Sequence, residues 1–196
     1  MRARPVAGGP KAGRRGRETP SKPRIVRIHN GCPGLHFSRP AVVRLIHLLD
    51  EHAADILPRS SPSAGLHPVP PGELSLALLT APALARLHAT FLGAASPTDV
   101  ITFFPPAPGP ARTRAEPVGE LCLSADAARA YAAAHRRDFS EELTLYIVHG
   151  WLHLAGHDDL RPAARKRMRA AENRALRLLR AAGKIPRFGL TAPSRA

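Results

Sequence analysis

Cysteine is nearly absent: Cys32 and Cys122 are the only two in 196 residues. Two thiols cannot build a disulfide framework or a four-cysteine zinc site. Aromatic residues make up 5% of the chain, with a single tryptophan. Long apolar runs are missing too. The longest uncharged apolar stretches, residues 74–85 and 143–155, fall well short of the ~20 residues needed to cross a bilayer. The first residues are rich in arginine and proline and have no apolar region of the signal-peptide kind. These absences lead to the expectation of a soluble, cytoplasmic protein with no membrane partner. Lysine is scarce as well, with four against 25 arginines, as GC-rich coding would produce.

What is present supports a folded core. Apolar residues account for 44% of the chain, enough for one domain of ordinary size with tails. The net charge of +14 is unevenly placed. Residues 1–24 carry eight basic side chains against one acid, and residues 161–187 carry ten against one, whereas residues 25–160 carry ten against thirteen. Basic ends flanking a slightly acidic middle point to a polyanionic partner, most simply nucleic acid.

Residues 1–23 combine Pro, Gly and Arg with little apolar content and read as a disordered basic tail. The domain is expected over residues 24–185, with residues 186–196 a C-terminal tail. A strand is expected at residues 24–29. Ser38 caps a helix marked by Val42, Val43, Leu45, Ile46 and Leu49. Residues 58–72 hold five prolines and form a loop, followed by a strand at 73–80 and a short helix at 82–92. Two strands, 99–104 and 118–124, flank another proline-rich turn. Ser124 caps the next helix, Ser140 caps a helix over 141–155, and a last helix spans 160–182 with Met168, Ala171, Ala175, Leu176 and Leu179 on one stripe. The pattern predicts a single α+β domain, a small mixed four-stranded sheet flanked by about five helices.

The chemistry is concentrated in residues 143–160, LTLYIVHGWLHLAGHDDL. This helix is apolar nearly all round, with Leu145, Tyr146, Ile147, Val148, Trp151, Leu152 and Leu154, so it is expected to be buried. His149 and His153 stand one turn apart on one face, the spacing at which two imidazoles bind one zinc ion. Gly156 lets the chain reverse, and His157, Asp158 and Asp159 follow. Asp159 lies ten residues after His149, the offset of the third ligand in the metzincin pattern, and is the favoured third ligand. His157 is the runner-up. One zinc ion per chain with an open fourth position is the signature of a catalytic site. Zinc peptidases carry a glutamate immediately after the first histidine. Here that position is Gly150.

The run from His149 to Asp159 resembles the HGxLHLxGYDH signature of the YbeY family of endoribonucleases. Residues 97–103, PTDVITF, resemble the family's PTDVLSF; Gly119-Glu120-Leu121 resembles its GD[IV] strand, and Met168 with Glu172 its M…E pair. The resemblance spans about residues 24–182. It implies a zinc-dependent, single-strand-specific endoribonuclease of 16S rRNA 3′-end maturation and ribosome quality control, with rRNA and the 30S subunit as partners. Three positions depart from the family pattern. Asp159 replaces a histidine, His157 a tyrosine, and Leu92 an arginine five residues before the PTD proline. Thr98, Asp99 and Glu120, at strand ends, are expected to line the substrate groove. Arg136, Arg137 or the basic last helix would supply the missing cation. Two other functions compete: a metallopeptidase or other metal-dependent hydrolase, and a non-catalytic assembly factor with zinc as a structural fastener.

Overall fold

A computed structural model describes residues 23–57, 66–93, 98–105 and 115–191. The expected basic tail lies outside the described residues except for Pro23, as do parts of both proline-rich connections. The elements in order are β1 (Val26–Gly31), β2 (Leu35–Phe37), α1 (Arg39–Glu51), α2 (Ala53–Ile56), β3 (Glu73–Leu79) and α3 (Ala81–Leu92). They continue with β4 (Val100–Phe103), β5 (Pro117–Ser124), α4 (Ala125–Ala134), α5 (Phe139–Leu154), α6 (Pro162–Ala181) and β6 (Phe188–Leu190).

Four strands form one sheet in the order β1-β3-β5-β4. The first three are parallel and β4 runs antiparallel to β5, with Ile101 opposite Cys122. The α+β class and the mixed four-stranded sheet are as expected. Alternation along the strands gives the sheet two apolar faces. Leu74, Leu76 and Leu78 of β3, with Leu121 and Leu123 of β5, join the main core with α1, α5 and α6. Ala77, Ile101 and Cys122 face the other way, onto Leu84 of α3.

Helix starts follow local chemistry. The hydroxyls of Ser38, Thr80 and Ser124 each accept a backbone N–H three residues on, opening α1, α3 and α4. At α5 the expectation needs correcting. Asp138, not Ser140, is the cap: its carboxylate accepts the Glu141 N–H at 2.9 Å. The Ser140 hydroxyl instead accepts the N–H of Phe188 at 2.9 Å. That bond belongs to a strand the sequence did not suggest. Residues 188–190, expected as tail, pair antiparallel with β2 as a two-stranded ribbon. The single-turn α2 has no signature of its own in the sequence and brings the helices among the described residues to six.

Helix α5 is the centre of the main core, as its all-round apolar sequence predicts. Leu143, Ile147, Val148, Trp151 and Leu152 are completely buried. The Trp151 indole N–H donates to Asp50 at 3.0 Å, and the same carboxylate is held by the buried Arg24 guanidinium. A charged pair taken from α1 and the segment just before β1 thus satisfies the one polar atom of the largest core side chain. Gly150 lets α5 approach β5. A Cβ there would stand 2.9 Å from Leu121 Cδ2 and 3.2 Å from Cδ1.

Candidate metal centre

Helix α5 ends in a turn that folds the chain back over its own last residues. Gly156 adopts φ 87°, open to glycine at little cost. Its N–H donates to the His153 carbonyl at 2.9 Å, and that of His157 to the Leu152 carbonyl at 3.0 Å. This pair of bonds is the Schellman closure. It carries Asp159 back to the helix face that bears both histidines. The Arg165 guanidinium, from the first turn of α6, holds the Asp159 carbonyl at 3.2 Å.

The three side chains meet. His149, His153 and Asp159 each offer one ligand atom, all within 4.8 Å of one another. The Nε2 atoms of the two imidazoles are 3.0 Å apart, and His149 Nε2 is 3.8 Å from Asp159 Oδ2. A tetrahedral ion about 2.0–2.1 Å from its donors would set them ~3.3 Å apart. The observed separations bracket that value. The other ring nitrogens are already committed. His149 Nδ1 donates to Glu172 Oε1 of α6 at 2.7 Å, and His153 Nδ1 donates to the His157 carbonyl at 3.0 Å. With both Nδ1 atoms acting as donors to oxygen, the two Nε2 lone pairs face each other across 3.0 Å. A cation held between them would remove that repulsion. Fixing the distal nitrogen by a carboxylate or carbonyl is how proteins orient metal-binding histidines. The last carbonyls of α5 add partial negative charge beside His153. The donor set therefore suits a divalent metal of the zinc type.

Burial and the neighbouring His149 push the His153 pKa down, against weaker opposing effects from the His157 carbonyl and Asp159. This keeps the imidazole in its ligand form. His157 plays a different part. Its ring is buried, its Nε2 has no hydrogen-bond partner, and burial reinforced by Arg174 pushes its pKa down to about 4. The side chain of His157 does not join the cluster; its backbone carbonyl supports His153.

A cleft of about 360 Å³ opens over the three donors, walled by Thr98, Asp99, Val100, Leu145, Tyr146 and Glu172. Thr98 and Asp99 stand just before β4 and line the cleft. Glu120 does not line it and stands exposed on β5, opposite Phe103. Arg136 and Arg137 line an adjoining cavity of about 770 Å³ that shares Leu145 and Glu172 with the cleft. Arg136 closes α4 at φ 54°, a left-handed position that costs a non-glycine residue about 1 kcal/mol. The side chain of Leu92 falls outside the described residues.

Two contributors escaped the sequence reading. Glu172 entered it only as half of a motif pair, and its role needed the packing of α6 on α5. Tyr146 belongs to the apolar run of the sequence, and its place one turn before His149 puts it on the histidine face. The position after His149 is equally informative. Gly150 faces Leu121, with no space for a methyl group. The glutamate base of the zinc peptidases has no counterpart there.

A family model described as Endoribonuclease YbeY matches residues 47–180. Curated relatives bear the same description. That of Myxococcus xanthus (strain DK1622) is 39% identical over 111 residues, covering 53% of this chain and 35% of the relative. That of Mycobacterium leprae (strain Br4923) is 36% identical over 113 residues, covering 55% and 64%. That of Corynebacterium efficiens is 32% identical over 139 residues, covering 65% and 66%. The match thus spans from about a third to about two thirds of the relatives' length. A solution structure of a Thermotoga maritima protein aligns with a TM-score of 0.49 at 18% identity, over 88% of this chain and 100% of that one. The stretch matched by the family model holds the two histidines, the glycine turn, Asp159 and the Glu172 that orients His149, and by that match the chain belongs to the YbeY family.

Proposed function

We propose that this protein is a zinc-dependent, single-strand-specific endoribonuclease. It would act in the cytoplasm on 16S rRNA 3′-end maturation and ribosome quality control, with the 30S subunit as its partner. The observation that carries this reading is the convergence of His149, His153 and Asp159, with both distal imidazole nitrogens already tied down. Family membership supplies the substrate class. His149, His153 and Asp159 would hold one zinc ion, whose Lewis acidity acidifies water and polarises a phosphoryl oxygen.

The chain's own groups do the rest. Glu172 and the His157 carbonyl keep the two rings aimed at one point. Asp99, an exposed residue lining the cleft, accepts the proton of the attacking oxygen, and Thr98 stands beside it. Arg136 and Arg169 line the adjoining cavity and have no ion pair among the described residues, so they are available to phosphates. Arg137 and Arg180, in contrast, are engaged by Glu142 and Glu141. Exposed Lys166, Arg167 and Arg177 on the outer face of α6 add long-range attraction to the polyanion.

The test is zinc content together with cleavage. The parent should carry about one zinc per chain and cut a single-stranded 16S rRNA 3′ fragment but not its duplex. The His149→Ala/His153→Ala variant should do neither. Stoichiometric zinc in that variant, or intact RNA with the zinc-loaded parent, refutes the reading.

A further inference from the structure

Tyr146, His149 and His153 share one face of α5, and Tyr146 lines the cleft over the donors together with Asp99. Tyr146 is 7% exposed, and its hydroxyl is fully buried with no hydrogen bond of ordinary geometry, the Asp99 carboxylate being the side chain in hydrogen-bonding reach of it. A buried hydroxyl left unpaired is costly and calls for an explanation. Phenylalanine would fill the same volume without that cost. Two carboxylates act on the phenol, those of Asp99 and Glu142. Glu142 is already engaged by Arg137 at 3.3 Å. Asp99 has no ion pair among the described residues and is the acceptor that remains. Burial first, and then the Asp99 charge, raise the Tyr146 pKa and keep the phenol a donor.

We propose that Tyr146 is a positioning residue: its hydroxyl donates to one oxygen of the Asp99 carboxylate and aims the other at the attacking oxygen above His149, His153 and Asp159. The role rests on the endoribonuclease reading. In that reaction the new P–O bond forms as Asp99 takes the proton of the attacking water. The bond to the departing ribose oxygen breaks, and solvent protonates that oxygen. Tyr146 keeps its own proton throughout.

The chain has two tyrosines, so 13Cζ-labelled tyrosine gives two signals, and the one lost in Tyr146→Phe is that of Tyr146. The experiment compares the full-length, zinc-loaded parent with Tyr146→Phe, Asp99→Asn and the double variant. Tyr146→Phe should leave thermal midpoint, zinc affinity and KM nearly unchanged while lowering kcat roughly 10- to 100-fold, the effect expected when a catalytic group loses its aim. Asp99→Asn should lower kcat at least as far, and the double variant no further than Asp99→Asn. The Tyr146 signal should shift in Asp99→Asn. An unchanged kcat in Tyr146→Phe, or losses that multiply in the double variant, overturns the proposal. If the parent leaves RNA intact, the nuclease reading falls, and the signal alone decides the pairing. A Tyr146 signal unmoved by Asp99→Asn overturns the pairing whether or not RNA is cut.

Discussion

Replacing Glu172 with alanine removes the group that aims His149 and leaves all three proposed ligands in place. The bond is 2.7 Å long and joins an imidazole N–H to a carboxylate, at the short end for a charge-assisted pair. The His149 and Glu172 side chains are 24% and 15% exposed, so water screens the interaction only in part. Loss of such a partner typically weakens metal affinity by about 10- to 100-fold, or about 1.4–2.7 kcal/mol. Glu172 sits inside α6, where alanine is as good a helix former as glutamate, so the helix itself should not suffer. Glu172→Gln keeps an acceptor for the His149 N–H and loses only the charge, so its effect should be the smaller. Competition for zinc with a chromophoric chelator at neutral pH ranks parent, Gln and Ala in that order. Parent-like affinity in Glu172→Ala, or Gln weaker than Ala, would refute the argument that the carboxylate orients the metal-facing ring.

Asp159→Ala should weaken zinc binding at least tenfold in the same assay, whereas His157→Tyr should leave it nearly intact, because the His157 ring stands outside the cluster. Gly150→Ala should destabilise the fold by about 1 kcal/mol in urea titration. Overpacking against the fully buried Leu121 costs ~1–3 kcal/mol and outweighs the ~1 kcal/mol gained in helix propensity; a stabilised variant would contradict the close contact. Burial pushes the Cys122 thiol up to about 12, and burial also raises Cys32, so neither should react with a thiol reagent at pH 8 until the protein unfolds. The Arg180 guanidinium holds the Glu141 carboxyl below the usual range. That depressed value contributes stability above the unfolded-state pKa near ~4.3, and the contribution is lost as pH falls through the lower folded value. Arg180→Ala should therefore cost less than about 1 kcal/mol at pH 7 and nothing at strongly acidic pH, since the pair is well exposed.

Local chemistry is legible in the order of residues, and most of the fold follows from it. A stripe at three and four residues marks α1 and α6 because every fourth side chain shares a helix face. The glycine after α5 and the two histidines within it need only neighbouring residues, so the reversal toward Asp159 could be read before any tertiary contact was known. Other features join residues far apart in the chain, and no local period encodes them. Ser140 and Asp138 are both acceptable caps by composition, and Ser140 was released for Phe188 only because β6 docks beside it. Residues 188–190 carry no strand signature of their own; they become a strand because β2 offers them backbone partners. Glu172 looks like any solvated helix glutamate until α6 packs against α5 and brings its carboxylate to His149. Asp99 and Tyr146 line one cleft for the same reason, since the antiparallel pairing of β4 on β5 brings the residues just before β4 beside α5. Ligand spacing is a property of one helix, whereas the groups that orient the ligands come from whatever the core packs against it.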